Sequence, residues 1–373
     1  MADSSSHLPS ERPTERPTER PPAARGRGAR SNASGRFERY ARLIDPEADA
    51  DAPPPNPLTT VMDERPRSIL TRNTSPDLGF DRSINPYRGC EHGCIYCYAR
   101  PTHAWLGFSA GLDFETRLIA RPDAPSLLDE TLRKPGYSPA PIAIGTNTDP
   151  YQPIERDRRI MRGILEVLLA HKHPVTVTTK GAAILKDADI LGELGRLGLA
   201  SVAVSLTSLD TRLSRAMEPR AAAPSTRLRV VSTLARAGCP TGVMLAPLIP
   251  ALNDHEVERL ASAAAGAGAS FATHIVLRLP LEVKDLFREW LAASYPDRAK
   301  RVMRYVREMH GGRDYDPQWG KRMRGDGVFA RLIARRVEVA FARAGLARSS
   351  PDLRCDLFAP PARPGEQMRL DGI

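Results

Sequence analysis

The sequence predicts an α/β fold in which six strand–helix units form a partial (β/α)6 barrel. Short apolar runs rich in β-branched residues alternate with helix-like stretches, and this alternation repeats six times along the middle of the chain. Alternation of this kind is typical of parallel strands joined by right-handed crossovers. Six units fit a partial barrel better than a closed barrel of eight.

The strands and helices of this core are predicted from periodicity and length. The candidate strands are Ser83–Asn85, Ile142–Ile144, Val175–Thr178, Ser201–Ser205, Gly242–Leu245 and Thr273–Leu277. The candidate helices lie near 156–171, 184–196, 225–237, 254–267 and 283–293.

Composition divides the chain into three parts. Residues 1–57 carry a repeated Glu-Arg-Pro-Thr and a run of prolines, with too little apolar surface to offset the entropy of ordering, so a disordered Pro/Arg-rich tail is predicted. Residues 58–295 are expected to form the core barrel, and residues 296–373 a basic helical C-terminal extension.

Three cysteines close together indicate the chemistry. Cys90, Cys94 and Cys97 have the spacing C-x3-C-x2-C, with the aromatic residue Tyr96 just before the last cysteine. Three thiolates this close can bind three irons of an iron-sulfur cube. No fourth cysteine is nearby, because the next one is Cys239. The fourth iron would then be open to a small molecule, like the open position of a catalytic zinc.

Two other interpretations of the cysteines stay open at this point. With His92 or His103 they have the composition of a structural Cys3His zinc site. The protein would then be a non-catalytic, zinc-stabilised protein that binds nucleic acid. Disulfides are the third interpretation, and an odd, sparse count of five cysteines in 373 residues disfavours them.

The motif resembles the signature of the radical S-adenosylmethionine (SAM) superfamily, C-x3-C-x-aromatic-C. The wider stretch 85–100 is similar to the branch that contains spore photoproduct lyase. The resemblance implies a [4Fe-4S] cluster on Cys90, Cys94 and Cys97, with SAM bound to the free iron. It implies reductive cleavage of SAM to a 5'-deoxyadenosyl radical, which abstracts hydrogen from a substrate not identified by the sequence. It also implies an electron donor of the flavodoxin or ferredoxin kind.

Under this resemblance the SAM contacts are expected at the carboxyl ends of the strands. Those candidates, besides Tyr96, are Asn147, Thr148, Asp149, Lys180 and Ser205. A lysine at a strand end suits the carboxylate of SAM as a mobile point charge. Ordinary turn and capping roles are the alternatives for the Asn, Thr, Asp and Ser positions, and an exposed surface lysine is the alternative for Lys180.

One position departs from the lyase pattern. Spore photoproduct lyase has a hydrogen-donating cysteine at the end of the second strand, where this chain has Thr146. The O–H bond of threonine is too strong to replace a thiol as hydrogen donor, so the same photoproduct repair is not expected. The other candidate donors are two cysteines and three tyrosines: Cys239, Cys355, Tyr96, Tyr98 and Tyr151.

The formal net charge of +10 is concentrated near the C-terminus. Residues 297–348 hold fourteen Lys and Arg against six Asp and Glu, whereas residues 1–57 hold nine of each sign. A basic helical surface is one way to bind phosphates, so nucleic acid is a candidate partner. Only seven of the 54 basic residues are lysine, however, and a general bias toward arginine explains a solvated surface equally well.

Hydropathy predicts no membrane segment. No run reaches the 18 or more apolar residues of a span, and the N-terminus lacks the apolar stretch of a signal peptide. A cytoplasmic location is therefore expected, in agreement with a cluster that needs reduced thiols.

Overall fold

The computed structural model describes residue 24 and residues 26–38 and 57–362. The strands in these residues are β1 (Thr60–Asp63), β2 (Leu70–Arg72), β3 (Arg82–Ile84), β4 (Tyr87–Arg88), β5 (Arg117–Ala120), β6 (Ile142–Ile144), β7 (Val175–Thr179), β8 (Ala200–Ser205), β9 (Thr241–Leu248) and β10 (Phe271–Val276).

Helices alternate with these strands. The α-helices in the same residues are α1 (Asp113–Thr116), α2 (Ala124–Leu132), α3 (Glu155–Arg158), α4 (Ile160–Ala170), α5 (Ala188–Arg196), α6 (Thr211–Met217), α7 (Pro224–Arg236), α8 (Val257–Gly266), α9 (Val283–Ser294), α10 (Pro296–Met309) and α11 (Gly327–Arg343). Short 3-10 helices span Arg100–Leu106, Ala182–Asp187 and Asp254–Glu256.

The main sheet has seven strands in the order β10-β9-β8-β7-β6-β3-β2. Six neighbouring strands, β3 and β6 to β10, run parallel and match the six predicted strands. The seventh, β2, adds an antiparallel edge that the sequence did not indicate. Among the described residues no strand pairing joins β10 to β2. The predicted α/β architecture of a partial barrel is therefore confirmed.

The helices cover the sheet with their apolar faces. In α4, Ile160, Ile164 and Leu168 are buried at a spacing of four residues, the pattern of an amphipathic helix. Strands β3 and β6 are buried at every position, as expected for parallel strands with side chains packed on both faces. Burying each large aliphatic side chain contributes about 1.5–3 kcal/mol, so this core holds the strand ends in fixed positions.

A second, smaller sheet was not predicted. It has the order β1-β5-β4, with β5 parallel to β1 and antiparallel to β4. Its strands have two to four residues, and β1 is largely exposed, so hydrophobic periodicity gives no signal for them. Strand β4 ends at Arg88, two residues before Cys90, and so positions the start of the cysteine loop.

Part of the predicted tail is packed on the core. Residues 26–38 lie against the cysteine loop, and Arg27, Gly28 and Ala29 are buried. The prediction of disorder is corrected for these residues, because their polar backbone groups bond to buried core side chains. The rest of 1–57, apart from residues 24 and 57, lies outside the described residues.

The C-terminal part supplies two long helices, of which α11 packs on α8, and a loop that contacts the sheet. Helix α11 packs on α8, where Arg336 pairs with Glu258 at 2.8 Å. The loop between α10 and α11 contacts β10 through a hydrogen bond from the Val276 N–H to the Met323 carbonyl. In the described part of the chain, no helix combines the length and apolar character that crossing a membrane requires.

Candidate active site

A cavity of about 610 Å³ lies where the parallel strands end. Its wall is formed by the loops that follow β3, β6 and β7 and by the ends of β8, β9 and β10. The polar and aromatic lining residues discussed below are Asn85, Tyr96, Tyr98, Thr146, Asn147, Lys180 and Ser205. The basic lining residues are Arg88, Arg121, Arg278 and Arg322, and an apolar part is formed by Met244, Ala246 and Pro247. The volume is in the range of small-molecule and cofactor sites.

The cysteine loop follows β4 and forms a tight series of turns. The Gly93 N–H donates to the Cys90 carbonyl, and the Cys97 N–H donates to the Cys94 carbonyl. Gly93 has φ of +67°, a left-handed conformation that favours glycine. Cys90 and Cys94 are buried, and Cys97 is half-buried. Tyr96 and Tyr98, which flank Cys97, both line the cavity, so the cysteine loop and the cavity form one site.

Burial keeps two of the thiols protonated in the absence of metal. It raises the pKa of Cys94 to about 12 and, together with the neighbouring Asp149, raises the pKa of Cys90 well above its ordinary value. The positive charge of Lys180 acts in the opposite direction on Cys94, which shows that the two side chains are close. Iron binding at these thiols would therefore displace protons.

The three cysteines lie on one loop and could offer one thiolate to each of three irons. Among the described residues, no three His, Cys, Asp or Glu side chains come close enough to share one metal ion. A zinc site requires that closeness, whereas each cysteine of a [4Fe-4S] cluster binds a different iron.

The two histidines of the zinc interpretation are engaged elsewhere. His92 Nδ1 lies 3.2 Å from Asp149 Oδ2, without hydrogen-bond alignment. His103 Nε2 contacts the Arg117 carbonyl at 2.8 Å.

Tyr96 is fixed from behind by a buried ion pair. Its hydroxyl donates to Glu218, whose carboxylate also pairs with Arg227 and accepts from Thr207 at 2.7 Å. Burial raises the pKa of Glu218, but Arg227 and Lys180 lower it more, to about 2. Glu218 is therefore a permanent carboxylate that holds the Tyr96 ring against the cavity wall.

Lys180 and Ser205 lie at the ends of neighbouring strands and line the cavity. The Lys180 ammonium is 5.8 Å from the centre of the Tyr96 ring. Burial lowers the pKa of Lys180, but Cys94 and Glu218 raise it more, so the side chain stays charged. Ser205 is buried, and its carbonyl accepts from Arg227 at 3.1 Å.

The predicted turn after β6 divides into cavity and supporting residues. Asn147 lines the cavity, whereas Thr148 and Asp149 do not. Thr148 Oγ1 donates to the Tyr87 carbonyl at 2.9 Å. The Asp149 carboxylate accepts from Thr179 Oγ1 at 2.6 Å and from the Lys180 N–H at 2.7 Å. These two side chains hold the turn and Lys180 in position.

Asn85 is a lining residue that the sequence did not indicate. Its side-chain oxygen accepts from the N–H groups of Asn147, at 3.0 Å, and Thr148, at 3.4 Å. Asn85, which directly follows β3, therefore holds the turn after β6 in its shape. The only available signal was its position at the end of the predicted strand Ser83–Asn85.

The cavity lining carries positive charge, and no Asp or Glu of the described residues belongs to it. Arg88 and Arg121 share Glu64, which lies behind them, and Arg322 pairs with Asp77. Arg278 differs from these three: no carboxylate of the described residues lies within ion-pair distance of it. It stacks over the Tyr98 ring at 4.7 Å, and its buried Nε has no hydrogen-bond partner.

The candidate hydrogen donors, and Thr146 at the position of the lyase cysteine, lie in different parts of the molecule. Thr146 and the two tyrosines of the cysteine loop line the cavity, but Cys239 and Tyr151 are buried elsewhere. Cys355 does not lie over the barrel mouth. Its neighbour Arg354 donates its N–H to the Gly198 carbonyl, before β8 and thus at the opposite end of the strands.

Comparison with known proteins identifies the class. Residues 84–264 match the family model of the radical SAM superfamily. An uncharacterised protein of Mycobacterium tuberculosis is 36% identical over 232 residues, which cover 62% of this chain and 68% of that protein. One of Methanocaldococcus jannaschii is 24% identical over 215 residues, or 57% and 76% of the two chains. The chain belongs to the radical SAM superfamily.

Solved structures agree with this fold. Spore photoproduct lyase complexed with dinucleoside spore photoproduct superimposes with a TM-score of 0.53 at 16% identity, covering 77% of this chain and 81% of the lyase. A mutant of that lyase with bound AdoMet and the same dinucleoside gives 0.51 at 16% identity over the same shares of both chains. At a sequence identity this low, the similarity shows a shared fold.

Proposed function

We propose that this protein is a radical SAM enzyme that binds a [4Fe-4S] cluster through Cys90, Cys94 and Cys97. The observation that carries the proposal is the arrangement of three thiols on one loop beside a cavity of cofactor size. When bound and reduced, the cluster supplies the electron that cleaves SAM to a 5'-deoxyadenosyl radical, which takes hydrogen from the substrate.

The chain's own residues bind and orient SAM. Lys180 keeps its positive charge and provides a counter-charge for the SAM carboxylate. Asn147 and Ser205 offer hydrogen bonds to its polar groups, and Tyr96, held by Glu218, provides a flat wall. Thr148 and Asp149 act indirectly by holding this turn. The apolar end of β9 excludes water from the opposite side.

The electrostatics of the cavity favour an anionic substrate, and we propose nucleic acid as its class. The Arg278 guanidinium stacks on Tyr98, donates to the Tyr315 hydroxyl at 3.4 Å and has no carboxylate partner among the described residues, and such a guanidinium binds phosphate well. The spore photoproduct lyase structure with a dinucleoside bound supports the same class by likeness of fold. Thr146, in place of the lyase cysteine, supports a reaction that does not require a thiol there.

The first experiment tests the cluster and SAM cleavage. The protein is purified without oxygen, reconstituted with iron and sulfide, reduced with dithionite, and assayed for 5'-deoxyadenosine. We expect four irons per chain and a product that disappears in Cys94→Ala. The matched control is Cys355→Ala, since Cys355 lies at the other end of the barrel. A protein that holds one zinc and never cleaves SAM would overturn the proposal in favour of a zinc-stabilised binding protein.

The second experiment tests the substrate class. Binding of a short single-stranded DNA, the same strand as RNA, and an uncharged peptide is compared for the wild type and Arg278→Gln. Loss of a charged hydrogen bond of about 1.5–3 kcal/mol predicts roughly 10- to 150-fold weaker binding of the nucleic acids. Arg354→Gln is the control, because Arg354 is exposed and pairs with Asp356. Equal affinities of wild type and Arg278→Gln would contradict the assignment.

A further inference from the structure

The segment 26–38 makes close contact with the backbone of the cysteine loop. A methyl group built on Gly28 would lie 1.8 Å from the Gly93 carbonyl oxygen, so only glycine allows this approach. Gly93 is placed between Cys90 and Cys94. The segment also lies outside residues 84–264, the part that matches the family model.

A fully buried carboxylate joins the segment to the core. Glu115 accepts from the Gly28 N–H at 2.9 Å and from the Ala29 N–H at 2.8 Å. Its backbone carbonyl accepts from Arg27 Nη1 at 3.0 Å. A buried carboxylate requires such donors, because an unpaired charge in the interior is strongly unfavourable. Residues 27–29 therefore supply what Glu115 needs.

The same carboxylate is connected to the cysteine loop itself. Arg100, which is fully buried, pairs with Glu115. Its Nε donates to the Cys94 carbonyl at 3.0 Å, and its Nη2 donates to the Gly93 carbonyl at 3.2 Å. A continuous chain of charge-assisted hydrogen bonds thus runs from the segment through Glu115 and Arg100 to the backbone of a cysteine.

The segment extends beyond these contacts along the same side of the loop. Asn32 exchanges two hydrogen bonds with Asp113, at 2.9 and 3.0 Å. Ser109 Oγ donates to the Ala33 carbonyl at 2.5 Å. Phe37 packs on Trp105 with ring centres 4.6 Å apart. The segment therefore contacts the 3-10 helix at Trp105 and the turn at residues 109–113, in addition to the cysteine loop.

We propose that residues 26–38 belong to the cluster site and hold the cysteine loop in position, with Glu115 and Arg100 as positioning residues. The segment fixes the Gly93–Cys94 backbone and shields this side of the loop from water and oxygen. The inference rests on the proposed function, since it concerns the lifetime of the cluster. The cavity that is proposed to hold the substrate is formed by other residues.

Gly28→Ala tests the inference, with Gly266→Ala as the matched control. Neither glycine has a left-handed φ, and a methyl group on Gly266 would meet nothing within 4 Å. We expect the Gly28→Ala cluster to lose iron to a chelator, and to bleach in air, roughly 5- to 30-fold faster, as local destabilisation of one to two kcal/mol would produce. The control should match the wild type.

A second readout does not depend on the loaded enzyme. Hydrogen exchange of residues 90–97 in the cluster-free protein should become faster in Gly28→Ala and stay unchanged in Gly266→Ala. If Gly28→Ala does not fold, Glu115→Gln keeps the side-chain shape and removes the charge, and the same two measurements apply to it.

The outcomes separate this inference from the function on which it rests. Wild-type protein that assembles no cluster would overturn both. Wild-type protein with a cluster, together with variants whose iron release and hydrogen exchange equal those of the wild type, would overturn only the role of the segment.

Discussion

Arg322 and Asp77 join the two edges of the partial barrel at the mouth of the cavity. Arg322 Nε lies 2.6 Å from Asp77 Oδ2, and Asp77 Oδ1 accepts from the Gly320 N–H at 2.7 Å. Asp77 belongs to the loop between β2 and β3, and the loop that carries Arg322 is bonded to β10. Side chains thus bridge the opening between β10 and β2, which no strand pairing of the described residues closes.

Breaking this bridge should loosen the mouth of the cavity. In Arg322→Gln and in Asp77→Asn, hydrogen exchange of residues 73–81 is expected to become faster, and the double variant should show little further change because both substitutions remove one interaction. Measurement is by mass spectrometry. The pair Arg354 and Asp356, exposed and distant, is the control. Additive effects would show that the two residues act separately.

The same bridge has an expected pH dependence. The hydrogen bond from Gly320 lowers the pKa of Asp77, and this outweighs partial burial. A lowered pKa means that the stabilisation is present above the ordinary aspartate pKa near 3.8 and is lost as the pH falls below it. The protection factors of the loop amides, in which the pH dependence of intrinsic exchange cancels, should therefore be constant from neutral pH down to that value and should fall below it.

Removing the buried carboxylate behind Tyr96 should destabilise the whole protein. Glu218→Gln leaves Arg227 buried without its counter-ion, which costs about 3–5 kcal/mol in the free energy of unfolding. Denaturant unfolding of the cluster-free protein measures this loss. Glu338→Gln, in an exposed pair with Arg335, should change stability by about 0.5 kcal/mol or less.

That stabilisation has a defined pH window. Glu218 has its pKa held at about 2 in the fold, against an ordinary value of 4.5. The difference between wild type and Glu218→Gln should be complete above about pH 4.5 and should shrink as the pH falls toward 2. A difference that is independent of pH in this range would contradict the assignment.

Neutralising Lys180 should weaken SAM binding selectively. A charged hydrogen bond of about 1.5–3 kcal/mol predicts roughly 10- to 150-fold lower affinity for SAM in Lys180→Met. Anaerobic equilibrium dialysis with the reconstituted protein measures it. Lys186→Met is the control, since Lys186 is exposed in the following 3-10 helix. Iron content should be the same in both variants.

Asn85 is expected to matter for the shape of the turn after β6. Asn85→Leu removes the acceptor of two backbone N–H groups, which costs about 1–3 kcal/mol, whereas Asn85→Asp keeps the acceptor and should lose less. Thermal unfolding compares the two. If Asn85→Leu is as stable as Asn85→Asp, the turn does not depend on this side chain.

The sequence was informative where a signal is local. The six parallel strands were predicted within a few residues, because each is a short apolar run between helices, and the cysteine spacing indicated the family directly. Lys180, Asn147 and Ser205 were expected near one another under the family resemblance, because strand ends converge in such folds, and all three line the cavity.

Contacts between distant residues could not be predicted. Glu218 accepts a hydrogen bond from Tyr96, which is 122 positions away in the sequence. Arg278 stacks on Tyr98, and no sequence motif surrounds Arg278 to indicate this contact. Residues 26–38 look like the low-complexity sequence around them, since the feature that distinguishes Gly28 is a missing side chain facing Gly93.

The contacts of Arg27 bear on how this protein is produced for study. Its Nη2 donates to the Pro57 carbonyl at 3.0 Å and to Thr59 at 2.9 Å, so it ties the segment to the start of the core. A shortened gene that begins near residue 57, the obvious choice from composition, would delete Arg27, Gly28 and Ala29. We expect such a fragment to bind less iron than the longer chain, because the segment proposed to hold the cysteine loop is missing.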